Sequence, residues 1–238
     1  MSLAKVLARL CSDLKGNQRA YSYIVGRGIS NFTIDDLSIG YCNWDTKDEV
    51  GINLYGRVTF PIKDQYGDVI GFGGRIIGEG SPKYLNSPSG ILYDKSKALY
   101  NIDNASDYIS EAGYAIVVEG YMDVAGLWEA GVKNVVATCG TSLTKYHIRM
   151  LKRFADEVYL MYDDDEPGRA SAVRGVLLSS VEKFPVYACN TAFGMDPDEY
   201  VKMMGREGII ELVNEAKKEH QGPINQPVGG RNIQNKKP

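Results

Sequence analysis

Residues 115–124 read AIVVEGYMDV, in which four consecutive apolar residues are followed by a carboxylate and a glycine. A short continuous apolar run of this kind is typical of a strand buried on both faces of a sheet. Similar runs follow at 134–138, 158–162 and 186–189, with helical patterns between them at 121–130, 144–155 and 167–182. Strands that alternate with helices in this way predict a parallel sheet covered by helices.

The chain before residue 114 has a different pattern. A helical pattern covers residues 2–26, and two β-like runs at 58–62 and 69–73, joined by a polar turn, predict a hairpin. Residues 79–98 are rich in Gly, Ser, Pro, Asn and Lys, which predicts an extended surface loop able to carry binding residues. We therefore predict an α/β fold in which a Rossmann-like parallel sheet with flanking helices follows a smaller mixed α+β subdomain.

Length and composition support this organisation. The 238 residues are 44% hydrophobic and 24% charged, which excludes a fibre or a wholly disordered chain. We place the N-terminal subdomain at 1–103, the parallel-sheet domain at 104–220, with helices from Asp196 to Met204 and on to His220, and a disordered tail at 221–238. The helical pattern of the third parallel unit begins at Pro167, and Thr144 fits the N-cap of the second.

Cysteine spacing and hydropathy bear on zinc binding and on the cellular location of the protein. The four cysteines form no CxxC or CxxH pair, so we expect no zinc in this chain. Unpaired cysteines suit a reducing cytoplasm, and no apolar run approaches the roughly 20 residues that span a bilayer. We expect a cytoplasmic protein with no membrane segment.

Charge is distributed unevenly along the chain. The net charge is −3, yet residues 101–220 carry 20 acidic and 12 basic side chains. Enzymes that act on nucleic acids concentrate carboxylates around metals and place basic residues elsewhere. The acidic balance therefore does not exclude a nucleic-acid substrate.

Carboxylates follow the ends of three predicted strands. These residues are Glu119, then Asp163, Asp164 and Asp165, then Asp196 and Asp198. The carboxyl ends of parallel strands lie at one edge of a sheet, so we expect a self-repelling cluster that Mg²⁺ or Mn²⁺ would neutralise. Asp163 to Glu166 could instead be only a capping cluster at a helix start, and the sequence leaves both interpretations open.

Several motifs carry a resemblance to a known family. The segments VVEGYMDV at 117–124, GTS at 140–142 and YDDDEPGR at 162–169 resemble the Toprim domain of bacterial DnaG-type primases. Upstream, RVTFPI at 57–62, GFGGR at 71–75 and PKYLNSP at 82–88 resemble the N-terminal half of the same family's RNA polymerase core. The resemblance runs from about Arg19 to about Met204.

The resemblance implies roles for particular residues. Glu119 resembles the family's essential acid, a metal ligand or general base, and Asp163 and Asp165 resemble its Mg²⁺ ligands. Further acidic positions of the metal site match Asp123, Asp196 and Asp198. The basic ridge that handles template and nucleotide in the family matches Arg27, Arg75, Lys83, Asn86, Lys95 and Lys97. One departure is Asp164, where the family commonly has Gly.

By this resemblance the chain is expected to be a metal-dependent nucleotidyltransferase. It would synthesise short RNA primers from NTPs on single-stranded DNA, in a bacterial cell or a phage-infected host. Primases of this family usually carry a zinc-binding domain before the core and a helicase-binding domain after it. We therefore expect a separate zinc-binding module and a replicative helicase as partners.

Two alternatives belong to other functional classes. The same carboxylates could serve a metal-dependent nuclease, although the primase-like motifs before Glu119 favour polymerisation. A non-catalytic replication-associated DNA-binding module is disfavoured by the presence of Glu119, Asp163 and Asp165, because a pure binder has no need of a self-repelling acidic cluster.

Overall fold

A computed structural model describes residues 1–191 and 194–221. The first part of the chain forms α1 (Leu3–Gly16), α2 (Gln18–Gly26), α3 (Asn31–Asp36), β1 (Gly40–Tyr41), α4 (Lys47–Val50), β2 (Arg57–Lys63), β3 (Val69–Ile76) and β4 (Tyr84–Asn86). The second part forms α5 (Ile102–Ala112), β5 (Tyr114–Val118), α6 (Tyr121–Glu129), β6 (Val135–Ala137), α7 (Lys145–Leu151), β7 (Glu157–Met161), α8 (Glu166–Glu182), β8 (Val186–Cys189) and α9 (Pro197–Gln221). Most of the tail predicted at 221–238 lies outside the described residues.

The N-terminal sheet is antiparallel, with strand order β1-β2-β3-β4. The predicted hairpin is confirmed as β2 and β3, which pair Phe60 with Gly73. The loop predicted at 79–98 is wrong in part, because residues 84–86 form the edge strand β4 against β3. The helical pattern predicted at 2–26 is confirmed as two helices: Asn17 separates α1 from α2, and its side chain accepts the N–H of Ala20 as the N-cap of α2.

The second sheet is parallel throughout, with strand order β6-β5-β7-β8, as the alternating pattern predicts. β5 and β7 are neighbours and pair Val117 with Leu160. The side chain of Thr144 caps α7, and Pro167 lies in the first turn of α8. Gly205, at φ 68°, interrupts α9 at the predicted boundary between the last two helices.

One continuous hydrophobic core joins the two sheets. It runs from Leu14 in α1 through Phe60 in β2 and Val117 in β5 to Ala216 in α9. The predicted boundary at residue 103 therefore crosses a shared core, and packing fixes the N-terminal sheet against the parallel sheet. Over the described part of the chain, every helix is too short or too polar to cross a bilayer.

A close contact at Gly73 brings the two sheets together beside the carboxylates. A Cβ atom at Gly73 would lie 2.3 Å from the ring of Tyr121, so only glycine allows this approach. The Tyr121 ring stacks on Phe60 with a centroid distance of 4.9 Å and an interplanar angle of 9°. Tyr121 begins α6 two residues after Glu119, and the contact therefore places the end of β5 against the N-terminal sheet.

Candidate active site

Glu119 and Asp163 lie at the carboxyl ends of two neighbouring strands. Glu119 follows β5 directly, and Asp163 follows β7 after Tyr162. The backbone of Asp163 hydrogen-bonds to the carboxylate of Glu119. Burial raises the pKa of Glu119, and the charges of Asp163 and Asp165 raise it further. The parallel register has thus brought carboxylates 44 positions apart in sequence into electrostatic contact.

The pKa of Asp163 is raised by burial and then by the charges of Asp196 and Asp165. Lys83 acts in the opposite direction and favours the ionised form. Lys83 belongs to the N-terminal subdomain, so a positive charge that acts on Asp163 comes from across the boundary between the two sheets. Its side chain is exposed and accessible to an anionic ligand.

Asp123 lies in the first turn of α6, beneath Glu119. Its Oδ2 accepts the N–H of Gly120 at 3.0 Å and so holds the turn that follows Glu119. Burial raises the pKa of Asp123 well above its ordinary value, and the charges of Asp163, Asp196 and Asp198 act in the same direction. Asp123 is therefore coupled to the cluster while supporting the backbone next to Glu119.

Two carboxylate oxygens of the cluster are suited to a divalent cation. Among the described residues, Glu119 Oε1 and Asp163 Oδ1 are buried without a hydrogen-bond partner. Buried carboxylate oxygens in this state are costly unless a cation binds them, and Mg²⁺ prefers oxygen ligands. Across residues 1–191 and 194–221, no three His, Cys, Asp or Glu side chains already converge into a metal site. The donor chemistry of these carboxylate oxygens fits Mg²⁺ or Mn²⁺.

The run of three aspartates after β7 contains both caps and cluster members. Asp165 Oδ1 accepts the N–H of Gly168 at 2.7 Å and caps α8, so the capping interpretation is confirmed for this residue. Asp164 accepts the N–H of Gly194 at 2.9 Å and forms an ion pair with Arg169 at 2.8 Å. The residue that departs from the family pattern therefore anchors the chain before α9.

Asp198 has partners that differ from those predicted. Its side chain is buried in the first turn of α9, where Oδ2 lies 2.6 Å from Arg27 Nη2 and 2.7 Å from Lys202 Nζ. We expected Asp198 to bind metal and Arg27 to bind nucleic acid, whereas the structure pairs them with each other. A carboxylate packed against Gly126 in the interior requires cations beside it. Asp196, by contrast, caps α9 by accepting the N–H of Glu199.

The predicted basic ridge divides into exposed and internal residues. Asn86 donates to the carbonyl of Cys139 at 2.8 Å and accepts the hydroxyl of Tyr121 at 2.6 Å. Both ends of its amide are thus hydrogen-bonded between the two sheets, and each end keeps one further hydrogen-bonding position. Arg75 donates to the hydroxyl of Tyr84 and lies near the ring of Tyr23.

Lys95 and Lys97 lie on one turn at residues 94–98. Lys97 Nζ is 3.1 Å from Asp94 Oδ2, and its side chain is 58% exposed. Lys83 and Lys97 are thus the exposed lysines of the predicted ridge, and Lys95 lies partly buried between Asp94 and Lys97.

Sequence reasoning gave no role to Arg57. This arginine is buried, and it donates to the carbonyls of Pro82 at 3.0 Å and Lys83 at 3.3 Å. Burial lowers its pKa. An arginine at the start of an otherwise apolar strand was the available signal, because a buried cation must find acceptors. Here it fixes the backbone that carries Lys83.

A parallel sheet that presents coupled carboxylates at the ends of adjacent strands defines a Toprim-class domain suited to metal-dependent phosphoryl transfer. The Toprim domain model matches residues 113–184, and the model for the DNA primase catalytic core, N-terminal domain, matches residues 45–106. The chain belongs to the DnaG-type DNA primase family.

Individual relatives agree with this assignment. A DNA primase of Aquifex aeolicus (strain VF5) is 45% identical over 162 residues, covering 66% of this chain and 32% of that protein. A DNA primase of Clostridium acetobutylicum is 34% identical over 235 residues, covering 86% of this chain and 38% of that protein. The solved structure of a DnaG primase catalytic domain bound to ssDNA is 31% identical with a TM-score of 0.81, covering 90% of this chain and 77% of that one. The chain thus spans about a third of the length of the curated relatives it matches.

Proposed function

We propose that this chain is the catalytic core of a DNA primase, which synthesises short RNA primers from NTPs on a single-stranded DNA template. The observation that carries the proposal is the coupled pair Glu119 and Asp163, with their unpartnered oxygens among the described residues, facing Lys83. Membership of the primase family selects nucleotidyl transfer from the reactions that such a pair could serve.

The residues proposed to hold Mg²⁺ or Mn²⁺ are Glu119, Asp163 and Asp165, with Asp123 and Asp196 as coupled neighbours. When bound, the cation would stabilise charge on the oxygens of the transferring phosphate. Arg27 and Lys202 both contact Oδ2 of Asp198, while its Oδ1 is buried without a hydrogen-bond partner among the described residues. We leave Asp198 out of the proposed set because these two cations already neutralise its charge. The raised pKa of Glu119 also makes this residue a stronger proton acceptor than an ordinary carboxylate.

The protein's own cations would position the polyanionic substrates. Lys83 lies close enough to Asp163 to influence its pKa, so a phosphate bound by Lys83 would be next to the carboxylates. Lys95 and Lys97 would contact phosphates of the template or the NTP. The carboxylates repel such anions until a cation neutralises them, which makes ligand binding dependent on the cation.

The proposed partners follow from the same reaction. They are single-stranded DNA, NTPs and the RNA primer, together with a separate zinc-binding module and a replicative helicase. The solved relative bound to ssDNA supports the first of these. A site of action in the bacterial cytoplasm follows, because template and NTPs are found there.

The direct test is primer synthesis by the purified chain. Single-stranded DNA, labelled NTPs and Mg²⁺ or Mn²⁺ are supplied with and without an annealed primer, and Glu119→Gln is compared with Glu111→Gln, an exposed glutamate outside the site. We expect labelled oligoribonucleotides from the wild type and Glu111→Gln, and a loss of at least about a hundredfold in Glu119→Gln. Metal-dependent DNA cleavage without synthesis would indicate the nuclease, and DNA binding without either reaction would indicate the binding module.

A further inference from the structure

The turn that carries Lys95 and Lys97 packs directly on the N-terminus of α7. We call residues 94–98 the lysine turn. Helix α7 begins with a reciprocal capping box between Thr144 and His147. In such a box each side chain satisfies a backbone N–H of the other residue. Both side chains of this box also reach the lysine turn, so a helix of the Toprim domain contacts a turn of the N-terminal subdomain.

The lysine turn is already shaped by its own hydrogen bonds. Asp94 Oδ1 accepts the N–H of Ser96 at 2.9 Å and its hydroxyl at 2.7 Å. The carbonyl of Asp94 accepts the N–H groups of Lys97 at 2.9 Å and Ala98 at 3.0 Å. These local bonds fix the form of the turn. They do not fix its position relative to the carboxylates of the parallel sheet.

Thr144 supplies the first external contact. Its Oγ1 accepts the N–H of His147 at 3.2 Å, which leaves the hydroxyl proton for a second partner. That partner is the carbonyl of Ser96, 2.6 Å away. One hydroxyl therefore caps α7 and holds the lysine turn.

His147 supplies the second contact in the same way. Its Nδ1 accepts the N–H of Thr144 at 3.2 Å, so the ring hydrogen is on Nε2, which lies 3.1 Å from the carbonyl of Lys95. The side chain is fully buried. Glutamate is the usual partner in a capping box, but an ionised glutamate has no hydrogen to donate to Lys95. The histidine is thus suited to both contacts at once.

We infer that Thr144 and His147 are positioning residues, which hold Lys95 and Lys97 at a fixed place beside the Toprim domain before nucleic acid binds. This inference rests on the proposed function, because it takes the two lysines as phosphate contacts. Holding the turn in place removes part of the ordering cost that binding would otherwise carry. Neither residue touches the reacting atoms.

Substitutions at Thr144 separate the cap from the contact with the turn. In Thr144→Ser the hydroxyl still accepts and donates. In Thr144→Asp the carboxylate still caps α7, since aspartate is as good an N-cap as threonine, but it has no proton for Ser96. Affinity for a fluorescein-labelled oligo-dT strand is measured by anisotropy at several salt concentrations in the full chain, alongside a Lys95→Ala, Lys97→Ala double variant.

We expect Thr144→Asp to weaken binding roughly three- to tenfold, in the direction of the double lysine variant, while Thr144→Ser binds like the wild type. Hydrogen exchange provides a second measurement that does not depend on DNA. The amides of Lys97 and Ala98 should exchange faster in Thr144→Asp, while the amides of α7 stay protected.

Different failures identify different errors. If the lysine variant binds weakly and Thr144→Asp binds like Thr144→Ser, the positioning inference is wrong and the proposed DNA contacts stand. If the lysine variant binds like the wild type, or no form of the chain binds DNA, then the proposed role of the lysines is wrong and the inference fails with it. Loss of α7 protection in Thr144→Asp would show that Thr144 acts on the helix rather than on the lysine turn, and the positioning inference would then be wrong for this residue.

Discussion

Arg27 Nη2 lies 2.6 Å from Asp198 Oδ2, a contact between residues 171 positions apart. Arg27 is the C-cap of α2 in the N-terminal subdomain, and Asp198 lies in the first turn of α9 beside the parallel sheet. Lys202 approaches the same oxygen from the next turn of α9. Two residues with separate predicted roles, in metal binding and in nucleic-acid binding, thus form one connection between the N-terminal subdomain and α9.

Because Asp198 is held in an ion pair, we predict that its substitution lowers the stability of the fold and leaves metal binding unchanged. Asp198→Asn removes the charge that compensates Arg27 and Lys202, and we expect the free energy of unfolding to fall by about 2 to 4 kcal/mol, because Arg27 is partly solvated. Urea unfolding measures this change. The Mg²⁺ affinity should stay at the wild-type value, whereas a metal ligand would lose affinity.

A double-mutant cycle isolates the contact. Arg27→Met, Asp198→Asn and the combined variant should show a coupling energy of about 1 to 3 kcal/mol. Additive effects would mean that the two residues stabilise the fold independently, and the connection between α2 and α9 would then have to come from the hydrophobic core alone.

Mg²⁺ should stabilise the chain through Glu119 and Asp163. Their pKa values are raised, so the folded state favours their protonated forms and their ionisation at neutral pH costs stability. We expect Glu119→Gln to unfold at a higher temperature than the wild type in EDTA, because glutamine carries no charge that burial can penalise. Mg²⁺ at a hundredfold excess over its Kd should stabilise the wild type by about 2.7 kcal/mol and the variant far less.

The pH dependence of that difference has a defined sign. A carboxyl with a raised pKa penalises the fold above that pKa, and the penalty disappears as the pH falls through it. The advantage of Glu119→Gln in EDTA should therefore shrink on acidification. Glu111→Gln, which changes an exposed glutamate, should follow the wild type at every pH and Mg²⁺ concentration. An equal Mg²⁺ response in all three proteins would place the cation elsewhere.

The glycine-rich run in β3 has a packing role that predicts the effect of Gly73→Ala. The new methyl group would overlap the Tyr121 ring, and overpacking of this kind costs about 1 to 3 kcal/mol. Gly90→Ala is the matched control, because a Cβ there meets no atom within 4 Å among the described residues. Thermal unfolding measures both. A variant Gly73→Ala with wild-type stability and weakened NTP binding would instead support a phosphate-binding role for the run.

The parallel sheet could be predicted because the pattern that specifies each buried strand lies within a few consecutive residues. A strand buried on both faces must be apolar at consecutive positions, as Val117 and Leu160 illustrate, and a residue directly after such a strand must lie at the sheet edge. The positions of Glu119 and Asp163 follow from that rule. The break at Asn17 was also visible in principle, since Gly-Asn before a helical pattern is a usual end and N-cap.

Contacts between distant segments could not be predicted in this way. Nothing near Asn86 indicates that Tyr121 and Cys139 will use both ends of its amide, and nothing near Asp198 indicates Arg27. The strand β4 has three partly buried residues and no alternation, so the surrounding Gly, Ser and Pro dominate its pattern. A residue that binds a ligand and a residue that bridges two elements inside the fold can have the same local sequence pattern. Only the tertiary structure distinguishes the two roles.

The burial of His147 predicts a stability change in mildly acidic solution. Burial lowers its pKa to about 4, from an ordinary value near 6.5, because the folded state has no room to hydrate the charged ring. Between these two values the unfolded chain binds a proton that the folded chain does not, so stability falls as the pH drops. The full effect is about 3 kcal/mol below pH 4, at about 1.4 kcal/mol per pH unit.

His147→Gln keeps an acceptor for Thr144 and a donor for Lys95, but it does not titrate. Asp94, the charged group nearest the ring in the lysine turn, has a pKa lowered to about 2 and stays ionised across this range. Glu119 and Asp163 titrate in both proteins and cancel from the comparison. The difference in unfolding free energy between wild type and His147→Gln, followed by urea unfolding from pH 7 to pH 4, should therefore move steadily against the wild type. A difference that stays constant over this range would mean that the histidine is not held neutral, and that Nε2 donates to Lys95 from a charged ring.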